Sequence, residues 1–224
     1  MNPRIAEIIE RCKATADSPE FKANAAKLAE LDREIEAYGR DSRRRHAGIP
    51  AEHVPHLSDP RETVAMESAR SWVESQRRSG PPFHLAPQPF LILGGDLGVG
   101  KSHAAAWCVD QLGGLFIPMA DVAARKFEGE FESELIRARC LALDDFGTEP
   151  LDAGGWQEAH LERVLRGRYS EQRPTLITTN VWAEELKERI GPRVWDRVMA
   201  GGPESLVLCE GENLRRHWAE TDHG

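Results

Sequence analysis

The segment Phe90-Leu91-Ile92-Leu93-Gly94 runs directly into Gly95-Asp96-Leu97-Gly98-Val99-Gly100-Lys101-Ser102, and an alanine-rich stretch, Ser102 to Leu112, follows. A short apolar run bounded by glycine reads as a buried strand, and the stretch behind it reads as a helix. Between them, G-x-x-x-x-G-K-S is a phosphate-binding loop in the context that such a loop requires. Its glycines let backbone N–H groups turn toward phosphate oxygens, and the helix start adds the positive end of its dipole. The residues from Gly95 to Ser102, with His103 behind them, are therefore candidate ligands of ATP. Lys101 is expected to reach the β- and γ-phosphates. Ser102 is expected to hold Mg²⁺, whose tight octahedron of oxygens suits a hydroxyl plus phosphates and waters.

Further apolar runs occur at Leu115 to Pro118, Cys140 to Asp144, Thr175 to Thr178 and Ser205 to Leu208, mostly separated by helical stretches such as Trp156 to Tyr169. Short strands alternating with helices imply an α/β fold with a five-stranded parallel sheet covered on both faces. Cys140-Leu141-Ala142-Leu143-Asp144-Asp145 supplies the acidic strand end that a phosphate-binding loop needs, on a strand expected beside the P-loop strand. Asp144 would hold Mg²⁺ through water, and Asp145 would orient or deprotonate the attacking water. Two aspartates after a strand also fit an exposed acidic turn, but a P-loop upstream favours the catalytic reading.

Leu176-Ile177-Thr178-Thr179-Asn180 is another strand ending in polar residues. In a parallel sheet that end lies on the ligand side, so Asn180 is a candidate for holding the lytic water. Downstream, Arg193 and Arg197 stand four apart on one face of a predicted helix. One of them is a candidate arginine finger. Salt bridging with Asp196 or Glu188 on a surface helix is the other reading.

Ile5, Ile8, Ile9 and Cys12 keep a helical period, and Phe21, Ala25, Leu28, Leu31, Ile35 and Tyr38 continue one after Ser18-Pro19. Residues 1–45 are thus expected to form a helical hairpin, whose apolar stripe either closes the hairpin on itself or makes it a partner-binding region. Residues 46–60, with Gly48, Pro50, Pro55 and Pro60 and no period, read as a linker. Residues 61–224 make the ATPase domain, opening with a helix from Arg61 to Arg78.

A formal charge of −8 argues against a broad duplex-DNA face, because phosphate neutralisation needs clustered cations. Arg40, Arg43, Arg44 and Arg45 form one local cluster, which fits either a solvated helix end or a nucleic-acid contact. The four cysteines lie too far apart for CxxC pairs, and Cys108, Cys140 and Cys209 read as buried small hydrophobes. No apolar run is long enough to span a membrane, and the N-terminus MNPRIAEIIERCK lacks the features of a secretory signal, so no membrane partner and a cytoplasmic location are expected.

Taken together these motifs resemble the AAA+ branch of P-loop NTPases that contains the DnaC-type loaders of replicative helicases and the IstB-type ATPases of transposition. The resemblance covers residues 60 to 218 or so, and its most specific pieces are Leu143-Asp144-Asp145-Phe146-Gly147 with Glu149, Thr179-Asn180, and Arg193-Val194-Trp195-Asp196-Arg197-Val198. Arg45-His46-Ala47-Gly48-Ile49-Pro50 is also similar to a linker of these proteins. The resemblance implies an ATPase that self-associates through its nucleotide, with Arg197 acting in trans as the finger and Arg215 contacting the γ-phosphate within its own subunit. It further implies single-stranded DNA as a ligand and a hexameric replicative helicase held by the N-terminal helices. An IstB-type helper of transposition, or an adaptor that binds ATP without hydrolysing it, are the alternatives.

Overall fold

The computed structural model describes residues 19–79, 89–124, 129–147 and 156–214. The chain divides into two compact units, Met1–Arg44 and Arg45–Gly224. The first is described through one helix, α1 (Pro19–His46), which spans the period read over Phe21 to Tyr38. The helix expected over Ile5 to Cys12 lies outside the described residues. Within α1, Arg40 pairs with Glu36 at 3.7 Å and Arg44 with Asp41 at 3.9 Å, so part of the basic cluster faces the helix's own acids.

The second unit contains α2 (Val64–Ser79), β1 (Phe90–Gly95), α3 (Lys101–Leu112), β2 (Leu115–Pro118), α4 (Met119–Ala124), α5 (Gly129–Arg137), β3 (Leu141–Phe146), α6 (Trp156–Ser170), β4 (Thr175–Thr179), α7 (Ala183–Ile190), α8 (Pro192–Met199) and β5 (Leu206–Cys209). Short 3-10 turns stand at Val54–His56 and Pro203–Ser205. The five strands form one parallel sheet in the order β2-β3-β4-β1-β5.

Alternating side chains divide the strands between two cores, which explains why they read as continuous apolar runs. Leu91 and Leu93 join Ala69 and Val73 of α2 and Ala105 and Cys108 of α3 on one face. Phe90 and Ile92 join Val164 and Leu165 of α6 and Leu186 of α7 on the other. Cys108, Cys140 and Cys209 are buried and unbridged. Burial pushes the Cys140 thiol up to about 12 and that of Cys209 up to about 11, so both pack as apolar groups.

One expectation is corrected by the strand order. β3, which carries Asp144, is not beside the P-loop strand: β4 lies between them, paired with β1 from Phe90–Thr175 to Leu93–Thr178 and with β3 on its other edge. Every central strand of a doubly covered sheet is buried on both faces, so hydrophobicity does not encode which neighbours which.

The linker expected over residues 46–60 is also corrected, because this segment is folded against the sheet. The Phe116 N–H of β2 donates to the Ala47 carbonyl at 2.7 Å, and Ala47, Ile49 and Leu57 are buried in the first core. Gly48 has φ +74, and a Cβ there would stand 2.6 Å from the Phe116 carbonyl oxygen. Only glycine permits that approach.

Arg168 fastens α6 beneath the sheet. Its side chain is fully buried and donates to the carbonyls of Leu135 (2.7 Å), Ile136 (3.2 Å), Ala138 (2.8 Å) and Pro174 (2.6 Å) and to Thr175 Oγ1 (2.8 Å). Several of these carbonyls belong to the end of α5, where no intrahelical donor remains. Burial pushes its pKa down to about 10, which leaves it charged near neutral pH.

Candidate functional site

Beyond the carboxyl ends of the strands lies a cavity of about 480 Å³, lined at one end by Lys101, Ser102, Asp145 and Asn180. This is where a parallel sheet presents its ligand side. Gly95, Gly98 and Gly100 have φ of +124, +83 and +94, and Gly100 is the N-cap of α3. At Gly98 a Cβ would lie 2.1 Å from Asn213 Oδ1, and the Leu214 N–H donates to the Gly98 carbonyl at 2.9 Å. The chain just before Arg215 therefore rests on the P-loop. Arg215 itself is outside the described residues. Val99 is buried, whereas Asp96 and Leu97 are exposed at the tip of the loop.

Lys101 is buried, and its ammonium donates to the Gly95 carbonyl (2.8 Å), the Asp96 carbonyl (2.5 Å) and Asn180 Oδ1 (2.7 Å). Those contacts use all three of its N–H groups. Burial lowers its pKa, opposed by the nearby carboxylates of Asp145, Asp144 and Asp96. Asn180 continues the chain, donating from Nδ2 to Asp145 Oδ1 at 3.3 Å. The P-loop lysine, the end of β4 and the second aspartate of β3 are thus connected side chain to side chain.

Asp144 is buried, which pushes its pKa up. The Thr178 hydroxyl pulls it down, the Asp145 charge raises it, and the Ser102 hydroxyl and Lys101 lower it. Thr178 Oγ1 donates to Asp144 Oδ1 at 2.6 Å and accepts from the Asp145 N–H at 2.9 Å. That second bond holds Asp145 in a left-handed conformation, φ +56, uncommon outside glycine. Thr178 is a residue that sequence reasoning missed; it is one of three buried threonines in Thr175-Leu176-Ile177-Thr178-Thr179, and its place two residues before Asn180 is the signal.

His103 faces the other end of the cavity, with ring centroids 5.5 Å from His53 and 6.3 Å from His56. Burial, with the two neighbouring imidazoles, lowers its pKa to about 4, so it is neutral. His53, His56 and Thr63 lie in or just after the segment expected to be a linker, and no motif marked them. Arg193 and Arg197 lie on α8, the first exposed and the second half-buried. The Arg197 guanidinium sits over the Tyr169 ring, 5.7 Å from its centroid. Among the described residues neither arginine pairs with Asp196 or Glu188, and neither lines this cavity.

No family model matches the sequence. The chain is 29% identical over 135 residues to protein ORF77 of Ictalurid herpesvirus 1, covering 58% of this chain and 57% of that protein. It is 26% identical over 151 residues to the replicative helicase loader DnaC of Escherichia coli K12, covering 61% of this chain and 58% of the loader. The match thus spans less than two thirds of either relative. In structure, the DnaC helicase loader superposes with a TM-score of 0.54 at 20% identity, over 72% of this chain and all of that one. DnaA from Aquifex aeolicus, solved with AMPPCP, gives 0.51 at 18%, over 70% of this chain and 49% of that one. The chain has the AAA+ P-loop NTPase fold and is similar, within that fold, to the DnaC-type helicase loaders.

Proposed function

We propose that this chain is an ATP-dependent loader of the replicative DNA helicase, an ATPase that acts as an oligomer on single-stranded DNA. The observation that carries the catalytic part is the side-chain path Lys101–Asn180–Asp145 across the end of the sheet. In this reading the amides of Gly95 to Ser102 and the Lys101 ammonium hold the β- and γ-phosphates, and the adenosine occupies the end of the cavity bounded by His53, Thr63 and His103. Because the Lys101 donors are all engaged, phosphate replaces one of its present acceptors.

Ser102 and the buried Asp144 fit a divalent ion with oxygen ligands. Mg²⁺ held there offsets the charge of the phosphates. Asp145 and Asn180 orient and activate the attacking water. Arg197 of a neighbouring copy neutralises charge at the transferring phosphoryl group, and Arg215 contacts the γ-phosphate in its own subunit. The loading role is supported by the sequence similarity to a replicative helicase loader. Residues 1–45 would grip the helicase, in a chain acting in the cytoplasm; no described helix is long and apolar enough to cross a membrane.

The test is ATP turnover by the purified chain, with and without single-stranded DNA and the matching helicase, using Lys101→Ala as the blank. Turnover that depends on Lys101, with a stable helicase complex that needs residues 1–45, is expected. Stimulation by duplex DNA without helicase binding would replace the loader with an IstB-type transposition ATPase. Asp145→Asn that still loads helicase would make the chain an adaptor that uses ATP as a ligand only.

A further inference from the structure

Three arginines on α6 and α7 engage their N–H donors inside the chain. Arg163 donates to Glu132 at 3.2 and 3.4 Å, Arg189 to Glu185 at 2.9 and 3.1 Å, and Arg168 to buried carbonyls. Arg197 is held differently. Its guanidinium lies over the Tyr169 ring, and a cation–π contact engages the positive charge without using an N–H donor. Among the described residues no acceptor engages its fork of donors, the arrangement that suits a phosphate.

The platform is itself fixed. Tyr169 packs against the second core, and its ring stands 6.3 Å from that of Phe90, the first residue of the P-loop strand. Its carbonyl accepts the Gln172 N–H at 3.0 Å and Gln172 Nε2 at 2.9 Å. α8 is anchored by buried Val194 and Val198 and by the Ser205 hydroxyl, which donates to the Val198 carbonyl at 2.8 Å. Both partners of the stack therefore stand on immobilised backbone.

An arginine that must adopt one pose at a neighbouring molecule loses side-chain freedom on arrival, and a platform takes up part of that loss beforehand. We propose that Tyr169 is a positioning residue, presenting the Arg197 guanidinium to the nucleotide of a second copy of this chain. The inference rests on the reading of Arg197 as the arginine that acts in trans.

The experiment measures steady-state ATP turnover of the full chain against protein concentration, for Tyr169→Phe, Tyr169→Met, Arg197→Ala and the double variant Tyr169→Met/Arg197→Ala. Tyr169→Phe keeps the ring and should stay within about twofold of the parent. Tyr169→Met fills the space without a π-face and should lower kcat of the assembled protein about three- to tenfold, with KM for ATP unchanged. In the Arg197→Ala background it should have no further effect.

Wild-type turnover in Tyr169→Met, while Arg197→Ala is impaired, overturns the proposal. So does an equal loss from Tyr169→Met in both backgrounds, which marks a purely structural role. Should Tyr169→Met melt near the assay temperature, Tyr169→Leu measured below its own melting midpoint carries the same comparison. If Arg197→Ala leaves turnover intact, it is the trans reading itself that fails.

Discussion

Thr178 on β4 donates its hydroxyl proton to Asp144 on β3 at 2.6 Å, and the same oxygen accepts the Asp145 N–H at 2.9 Å. One buried hydroxyl therefore sets the carboxylate expected to hold the metal and the backbone of the residue expected to activate water. Thr178→Val keeps the shape and removes both bonds. Loss of the donor to a charged acceptor raises the Asp144 pKa further, and the part-buried Asp145 N–H loses its acceptor. The acid limb of the turnover–pH profile should move to higher pH, with a raised Mg²⁺ requirement. An unchanged limb would mean that Thr178 does not control Asp144.

Asn180 links the Lys101 ammonium to the Asp145 carboxylate through its two amide ends. Asn180→Ala removes an acceptor from one and a donor from the other while leaving the P-loop amides untouched. Turnover should fall about 10- to 100-fold, with KM for ATP changed less than about threefold. A raised KM with kcat preserved would place Asn180 in binding rather than in chemistry.

His103 carries a pH prediction. Its folded pKa, about 4, lies below its ordinary value of 6.5. Between those values the unfolded chain takes up a proton that the folded chain refuses. The stability gained by burying the neutral ring is therefore complete above pH 6.5 and declines as pH falls toward 4, by at most about 1.4 kcal/mol per pH unit. Urea midpoints between pH 6.5 and 5 should decline more steeply for the wild type than for His103→Gln. Parallel declines would mean that the ring is solvated and charges freely.

Local geometry was legible in the sequence wherever one short segment carries the whole signal. The P-loop, β1 and α3 follow from contiguous residues, and Leu115–Pro118 is found where its apolar run predicts it. Strand order was not legible: β3 and β4 are each buried through most of their length, and their neighbours are chosen by crossovers rather than by composition. Nor was the docking of residues 46–60, held by one backbone bond to Phe116 and by three apolar side chains with no common period. That segment brings His53 and His56 to the cavity, so this end of the candidate site was hidden by the same irregularity.

Arg168 shows how a single charged residue can hold three elements. Its donors reach the end of α5, the start of β4 and the turn before it, from a position on α6 with no exposure to water. Arg168→Met fills much of the volume but leaves the carbonyls of Leu135, Ala138 and Pro174 without this donor. Each buried carbonyl left without a partner costs about 1–3 kcal/mol, because it stays desolvated. Arg168→Lys restores a charge but brings three donors to five acceptors, so it should recover only part of the loss. Urea unfolding of the three proteins is the measurement, with the order of stability wild type, then lysine, then methionine. A methionine variant as stable as the wild type would mean that apolar packing at this position offsets every bond that the guanidinium makes.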